Sequence, residues 1–180
     1  MSTRFQTPPP STTLAYVGTR YGTLDDADQV VAMHVRCSEE SIYRRYHAPL
    51  PRLGPRLAHQ LLAPPGGWSL VAEYDGRVVA LACAGPLSAT ELELGLLVED
   101  AEQHRGIGAR MLREVADDAA GRGFRTLHCL AQPENDRVIA TANRAGLVAR
   151  LTWTDGLLNV EMPLRRCTAP MPDPALRRPA

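Results

Sequence analysis

The chain has 180 residues, enough for one domain with a full core and few for two. Its 20 Lys and Arg balance 20 Asp and Glu, and 44% of residues are apolar, so no global field favours nucleic acid or an acidic membrane. No run approaches the ~20 apolar residues of a membrane span, and the first residues lack the apolar core of a signal peptide. Cys37, Cys83, Cys129 and Cys167 stand apart with no CxxC pair or clustered histidines, which argues against a zinc site and a disulfide framework. The expectation is a soluble, cytoplasmic protein with reduced thiols.

Residues 1–13, with Pro8-Pro9-Pro10, and residues 166–180 lack apolar periodicity and read as flexible tails around one domain at 14–165. Within it, "AYVGTRYG" alternates like a strand and runs into Thr23, a fitting N-cap for the helix "LDDADQVVAMHVR". "SEESIYRRYH" and "PRLGPRLAHQLL" form a second helical region, a bent pair interrupted around Pro51 and Pro55. "WSLVAEYDGRVVALACAG" reads as an antiparallel hairpin, because two β-rich runs meet at Asp75-Gly76. "TELELGLLV" is a strand, 107–122 a helix closed by Gly121 or Gly123, and "RTLHCLA" a strand, so this unit is a parallel crossover. "NDRVIATANRAG" is a helix stopped by Gly146, and "LVARLTW" and "LLNVEMPL" are strands around Asp155-Gly156. The order β-α-α-β-β-β-α-β-α-β-β describes a mixed sheet with helices on both faces.

The stretch "QHRGIG" places two glycines between a strand and a helix. Glycines at 106 and 108 let backbone N–H groups turn toward one point, and the helix start adds its positive dipole end, so the loop suits phosphate oxygens. There is no Lys-Ser/Thr after the glycines and no GxGxxG, which sets aside the commoner phosphate loops.

The same six residues resemble the Gln/Arg-x-x-Gly-x-Gly/Ala loop of the GNAT acetyltransferase superfamily, which grips the pyrophosphate of acetyl-CoA. Val98-Glu99-Asp100 precede the loop where that superfamily ends its central strand, "PEN" at 133–135 opens the next helix, and Asn135 to Gly146 keeps the usual spacing. The likeness covers about residues 14–163. It implies an α/β (α+β) GNAT fold: a mixed central sheet of six to seven strands with helices on both faces and splayed central strands. A narrower likeness lies in "CSEESIYRRYHAPLPRL", which resembles the Ser-x-Glu-Ser-x-Tyr-x-Arg-Phe/Tyr stretch of bacterial Pat-type protein-lysine acetyltransferases.

The resemblance implies an N-acetyltransferase acting by direct transfer in a ternary complex, with acetyl-CoA as cosubstrate and no metal. A primary amine is the acceptor, with a protein lysine first. A small amine, or a non-catalytic acyl-CoA-binding module, stand as alternatives. Nucleic acid and membrane are not expected partners, and homodimers are common in the superfamily.

By the same resemblance Gln103, His104, Arg105, Gly106, Ile107, Gly108 and Ala109 hold the diphosphate, although His104 stands where the family often has Gly. Arg105 would add a phosphate contact, Arg110 is as readily a surface residue, and Arg137 and Arg144 read as surface. Leu96, Leu97 and Val98 supply strand backbone, with a free N–H for the oxyanion that develops at the thioester. Asn135 both caps its helix and reaches the pantetheine arm.

Period two puts Leu92, Leu94 and Leu96 on one strand face and Glu91 and Glu93 on the other, two carboxylates with no routine place in a covered sheet. Aligned on the loop, Glu93 matches the catalytic glutamate, with Glu91 as its substitute. A base is needed because the acceptor amine is mostly protonated near neutrality and only its neutral form attacks, so Glu93 calls for a semi-enclosed setting. The family's general-acid tyrosine, seven residues after the asparagine, is Ala142 here. His128 and Cys129 are strand neighbours on opposite faces and do not form a nucleophilic pair. Tyr43, Arg44, Arg45 and Tyr46 either pack inward from an amphipathic helix or bind substrate, with Tyr43, Arg44 and Tyr46 the candidates; if they bind, the arginine pair selects acidic surroundings.

Overall fold

The computed structural model describes residues 18–49 and 52–164; the expected tails lie outside these, as do the first residues of the expected opening strand. The elements are β1 (Gly18–Tyr21), α1 (Ala27–Arg36), α2 (Glu39–Tyr46), α3 (Pro55–Leu62), β2 (Trp68–Tyr74), β3 (Arg77–Pro86), β4 (Glu91–Val98), α4 (Ile107–Gly121), β5 (Thr126–Ala131), α5 (Asp136–Arg144), β6 (Arg150–Thr154) and β7 (Leu157–Pro163). The expected bent pair is thus two helices, α2 and α3, and short 3-10 turns precede α1 and α4. Thr23 does not cap by its hydroxyl in the ordinary way: its N–H donates to Asp26 Oδ2 at 2.8 Å, and the helix proper begins after that turn.

The seven strands form one sheet ordered β1-β2-β3-β4-β5-β7-β6, in which β4 and β5 are the parallel pair and the others are antiparallel. Both Asp-Gly dipeptides make two-residue hairpins with positive φ at each position: 52° and 72° at Asp75-Gly76, and 49° and 80° at Asp155-Gly156. That backbone matches strand twist, and Tyr74 therefore pairs Arg77 while Thr154 pairs Leu157. α4 and α5 end on left-handed Gly123 and Gly146, where Phe124 N–H reaches Ala119 O and Leu147 N–H reaches Ala142 O, each at 3.0 Å.

The sheet separates two cores. Leu70, Leu92, Leu94 and Leu127 face α4 and α5, where Met111 and Val115 are fully buried; Val71, Val78, Leu81 and Leu97 face α1, α2 and α3. Strands buried on both faces need not alternate, which explains the near-continuous burial of β2 from Trp68 to Ala72. Each such side chain contributes roughly 1.5–3 kcal/mol by leaving water.

Two features position the site. β4 pairs β5 only over Glu91–Glu93 against Thr126–His128; from there β4 stays on β3 to Val98 and β5 stays on β7 to Ala131, so the two strands part. Second, the Asp100 carboxylate, just past β4, accepts hydrogen bonds from Ser38 N–H, Ser38 Oγ and Ser41 Oγ, all at 2.8 Å, and so pins the start of α2 to the end of β4. Among the described residues no helix is long and apolar enough to cross a membrane.

Candidate active site

Where β4 and β5 part there is a cleft of about 840 Å³, walled by Gly95–Val98, by Cys129 and Leu130, by the start of α4, by α5 and by α2. Its floor loop turns through two left-handed residues, His104 at φ 61° and Gly106 at φ 82°, before α4 starts at Ile107. The backbone conformation at 104 is the one glycine adopts without penalty, and histidine is among the side chains that tolerate it best. Gly106 is required by its φ, since a Cβ there would meet nothing within 4 Å. At Gly108 a Cβ would make ordinary contacts of 3.6–3.7 Å with Leu96, Val98 and Thr141, so the chain itself leaves room for alanine.

Gln103, His104, Gly106, Ile107, Gly108 and Ala109 all line the cleft; Arg105 does not. Its guanidinium turns back to pair with buried Glu102 and lies 4.7 Å from the Tyr74 ring centre. Beneath the loop the ion pairs continue from Glu102 to Arg77 (3.6 Å), from Arg77 to buried Glu99 (3.4 Å) and from Glu99 to Arg36 (2.9 Å). The expected phosphate contact from Arg105 is replaced by this support, because two buried carboxylates demand cations. Gln103 is a brace: its amide donates to Val98 O (3.0 Å) and Ser41 Oγ (3.2 Å) and accepts from Arg137 Nη1 (2.7 Å), joining β4, α2 and α5. Arg137 and Arg144 are exposed, as expected of surface residues, and both also line the cleft.

Strand alternation fixes what β4 offers. Thr90 O accepts from the Arg125 and Thr126 amides on the β5 side, whereas Glu99 N–H donates to Val79 O on the β3 side. Even-numbered residues thus present N–H and C=O toward β5, and beyond the parting those of Leu96 and Val98 face the cleft. Asn135 caps nothing with its side chain, contrary to one of its two expected roles; its Oδ1 is buried with no hydrogen-bond partner, and the residue lines the cleft. A buried amide oxygen left unpaired costs free energy and calls for a donor from a ligand.

Glu91 and Glu93 share one face of β4, as expected, but differ in setting. Glu93 lines the cleft, exposed, with no hydrogen bond or ion pair to the described residues. Glu91 lies outside it, accepting from Ser88 Oγ (3.3 Å) with His128 Nε2 at 3.8 Å. The semi-enclosed environment expected for Glu93 is not supplied by the chain alone. His128 points toward Asn159 and Glu91, while Cys129 packs toward the α4 core and borders the cleft. Burial pushes the Cys129 thiol up to about 12, which leaves little thiolate and no nucleophile. Ala142 is fully buried against the α4 side and offers no proton donor.

On α2, Tyr43 faces away from the cleft into a groove with His34, Glu39 and Leu53, and is 46% exposed. Arg44 borders the cleft but is paired with Glu40 one turn earlier on its own helix. Tyr46 lines the cleft and its hydroxyl meets the ring Nε2 of buried His34 at 2.7 Å. Arg45 also lines the cleft, its guanidinium 4.9 Å from the Tyr46 ring centre and against the Cα of Gly95. Arg45 follows buried Ile42 by three positions and so shares its helix face. Among the described residues no group of three or more His, Cys, Asp or Glu is placed to hold a metal ion.

The fold that frames this cleft has counterparts among known proteins. The model of the acetyltransferase (GNAT) family matches residues 30–147. The GNAT domain of S. lividans PAT is similar at 29% identity, covering 82% of this chain and 90% of that one with a TM-score of 0.75. A phosphinothricin acetyltransferase from Sinorhizobium meliloti, in complex with AcCoA, is 17% identical over 87% of this chain and 94% of its own, TM-score 0.67. The ribosomal-protein-S18-alanine N-acetyltransferase from Escherichia coli is 17% identical over 86% and 96%, TM-score 0.61. The last two likenesses are of fold.

Proposed function

The chain belongs to the acetyltransferase (GNAT) family and is an N-acetyltransferase that uses acetyl-CoA, and we propose that it acetylates a primary amine, a protein lysine first, in the cleft between β4 and β5. The observation that carries this reading is the parting of β4 from β5 immediately after Glu93 and His128, directly above the left-handed loop 104–106. The stretch "CSEESIYRRYHAPLPRL", which resembles that of Pat-type protein-lysine acetyltransferases, supports lysine as acceptor, and the likeness to the S. lividans PAT domain over most of both chains agrees with it. A small amine is the second reading, favoured by the cleft's size; polycationic amines fit it poorly, since Arg44, Arg45, Arg137 and Arg144 line it against Glu93, Glu102 and Asp136.

The residues present fit the cosubstrate. Backbone N–H groups of the loop from 104 to 109 and the N-terminus of α4 take the diphosphate, Leu96 and Val98 offer backbone partners to the pantetheine arm, and Asn135 Oδ1 gains the donor it lacks. Acetyl-CoA supplies an acyl thioester. Glu93, directly or through a water, takes the proton of the acceptor ammonium, so that the neutral nitrogen forms the C–N bond while the C–S bond breaks. The Leu96 N–H steadies the charge that gathers on the carbonyl oxygen. The nitrogen sheds its second proton to water as the amide forms, and because Ala142 has no hydroxyl, water or the protonated Glu93 returns a proton to the departing sulfur. A cytoplasmic setting and a homodimer complete the proposal.

The test is a pair of substitutions read across pH. Glu93→Gln should lower kcat/KM about 100-fold at every pH measured, while Glu91→Gln stays near wild type. Retention by Glu93→Gln with loss in Glu91→Gln would show that the base has been misassigned.

A further inference from the structure

Three arginines that line the cleft, Arg45, Arg137 and Arg144, have no carboxylate partner among the described residues; Arg137 is bonded to Gln103, and Arg45 is the one set against β4. Each arginine that supports the loop has a carboxylate, and Arg44 has Glu40, but among the described residues no carboxylate pairs with Arg45 and no hydrogen bond is made by it. Its placement is built rather than incidental. His34 Nδ1 lies 2.7 Å from Val30 O and its Nε2 2.7 Å from Tyr46 Oη, so a buried histidine fixes the tyrosine, and the tyrosine ring carries the guanidinium. On the other side the guanidinium occupies the place of a side chain at position 95: a Cβ on Gly95 would lie 2.0 Å from Arg45 Cζ. The charge is held at the vertex where β4 leaves β5, and its field acts on Cys83 and on Cys129, one from each flanking strand.

Gly95 and Glu93 are two residues apart on one face of β4, about 7 Å along the strand. A carboxylate that can take a proton and a held guanidinium that needs an anion are the complement of a molecule carrying an amine and a carboxylate a few bonds apart, with hydrogen bonds of about 3 Å at each end. We propose that Arg45 recognises a carboxylate lying close to the acceptor amine, so that the protein selects anionic amine acceptors. The inference rests on the transfer reading above and narrows its acceptor. The same chemistry can come from a free α-amino acid, through its own carboxylate, or from a lysine flanked by Asp or Glu.

The experiment compares matched acids and amides on the intact protein. In one arm, kcat/KM is measured for L-alanine, L-methionine and L-glutamate against their α-carboxamides; in the other, for lysine hexapeptides with Asp or Asn beside the lysine. Calorimetric titration with N-acetyl-L-alanine and N-acetyl-L-alaninamide, without acetyl-CoA, gives a readout independent of turnover. One arm should favour the acid about 10- to 100-fold, the range of a charge-assisted hydrogen bond. Arg45→Met should bring that ratio to about one, Arg45→Lys should restore part of it, and Arg45→Glu should invert it. Gly95→Ala, which displaces the guanidinium without touching the core, should act like Arg45→Met. Equal use of acid and amide in both arms, or a ratio unchanged by Arg45→Met, overturns the proposal. A binding preference for the acid without acetyl transfer to any amine would instead sink the transfer reading and leave the carboxylate site standing.

Discussion

Asn135 carries an unusual burden for a residue at the head of a helix: its side-chain oxygen is buried and unpaired while the backbone around it is bonded normally, with Asn135 N–H to Gln132 O at 2.9 Å. A side chain that helped the fold would cap α5; this one does not, so its removal separates binding from stability. Asn135→Ala should leave the melting temperature within about 2 °C of wild type, or raise it slightly, because an unsatisfied buried group is deleted. It should weaken acetyl-CoA binding about 3- to 10-fold, the worth of one hydrogen bond, in a calorimetric titration. A large drop in melting temperature with unchanged affinity would mean that the oxygen serves the fold. Sequence alone favoured the cap as readily as the ligand, because Asn leads the capping residues and the cap requires only local spacing. The absence of the cap is a three-dimensional fact, set by a φ of −89° and ψ of 68° that turn the side chain into the cleft.

Among elements, α2 is eight residues long and too short to hold itself in water, so its position depends on what it is tied to. The Asp100 carboxylate is that tie. Burial works to raise its pKa, but the hydrogen bonds from Ser38 N–H, Ser38 Oγ and Ser41 Oγ prevail, and it sits below the ordinary carboxylate range. A depressed folded value means the contribution is complete above the unfolded value of about 3.9 and is lost as pH falls through the lower folded one. Asp100→Asn should therefore lower the melting temperature by about 2–6 °C at neutral pH, and the gap should close in melts taken below pH 3. A constant gap down to pH 2 would contradict this. The "SEES" stretch was legible as a helix start, and so were both Asp-Gly hairpins, because each depends on residues adjacent in the chain. Which of Tyr43, Arg44 and Arg45 points inward was not, since on a helix neighbouring positions differ by about 100° and the choice depends on how α2 is rolled against β4. Arg105 escaped for a related reason: Glu102, three residues before it, is buried by the turn after β4, and that burial cannot be read from spacing.

For the molecule as a whole, the order of strands and the two-sided packing follow from periodicity, and the family likeness follows from the loop, but the function depends on a pairing that stops. β4 and β5 bond over three residues and then leave the backbone groups of Leu96 and the N–H of Val98 without a strand partner, while Val98 O accepts from Gln103. Unpaired backbone in a central strand is costly unless something else is bonded there. The GNAT domain of S. lividans PAT is similar in fold at 29% identity. The central claim is that this gap, with the loop at 104–109, takes acetyl-CoA. Calorimetric titration of the intact protein with acetyl-CoA tests it most directly: a saturable isotherm with one site per chain, weakened by Asn135→Ala, is the predicted result, and absence of saturable heat up to millimolar acetyl-CoA would contradict it.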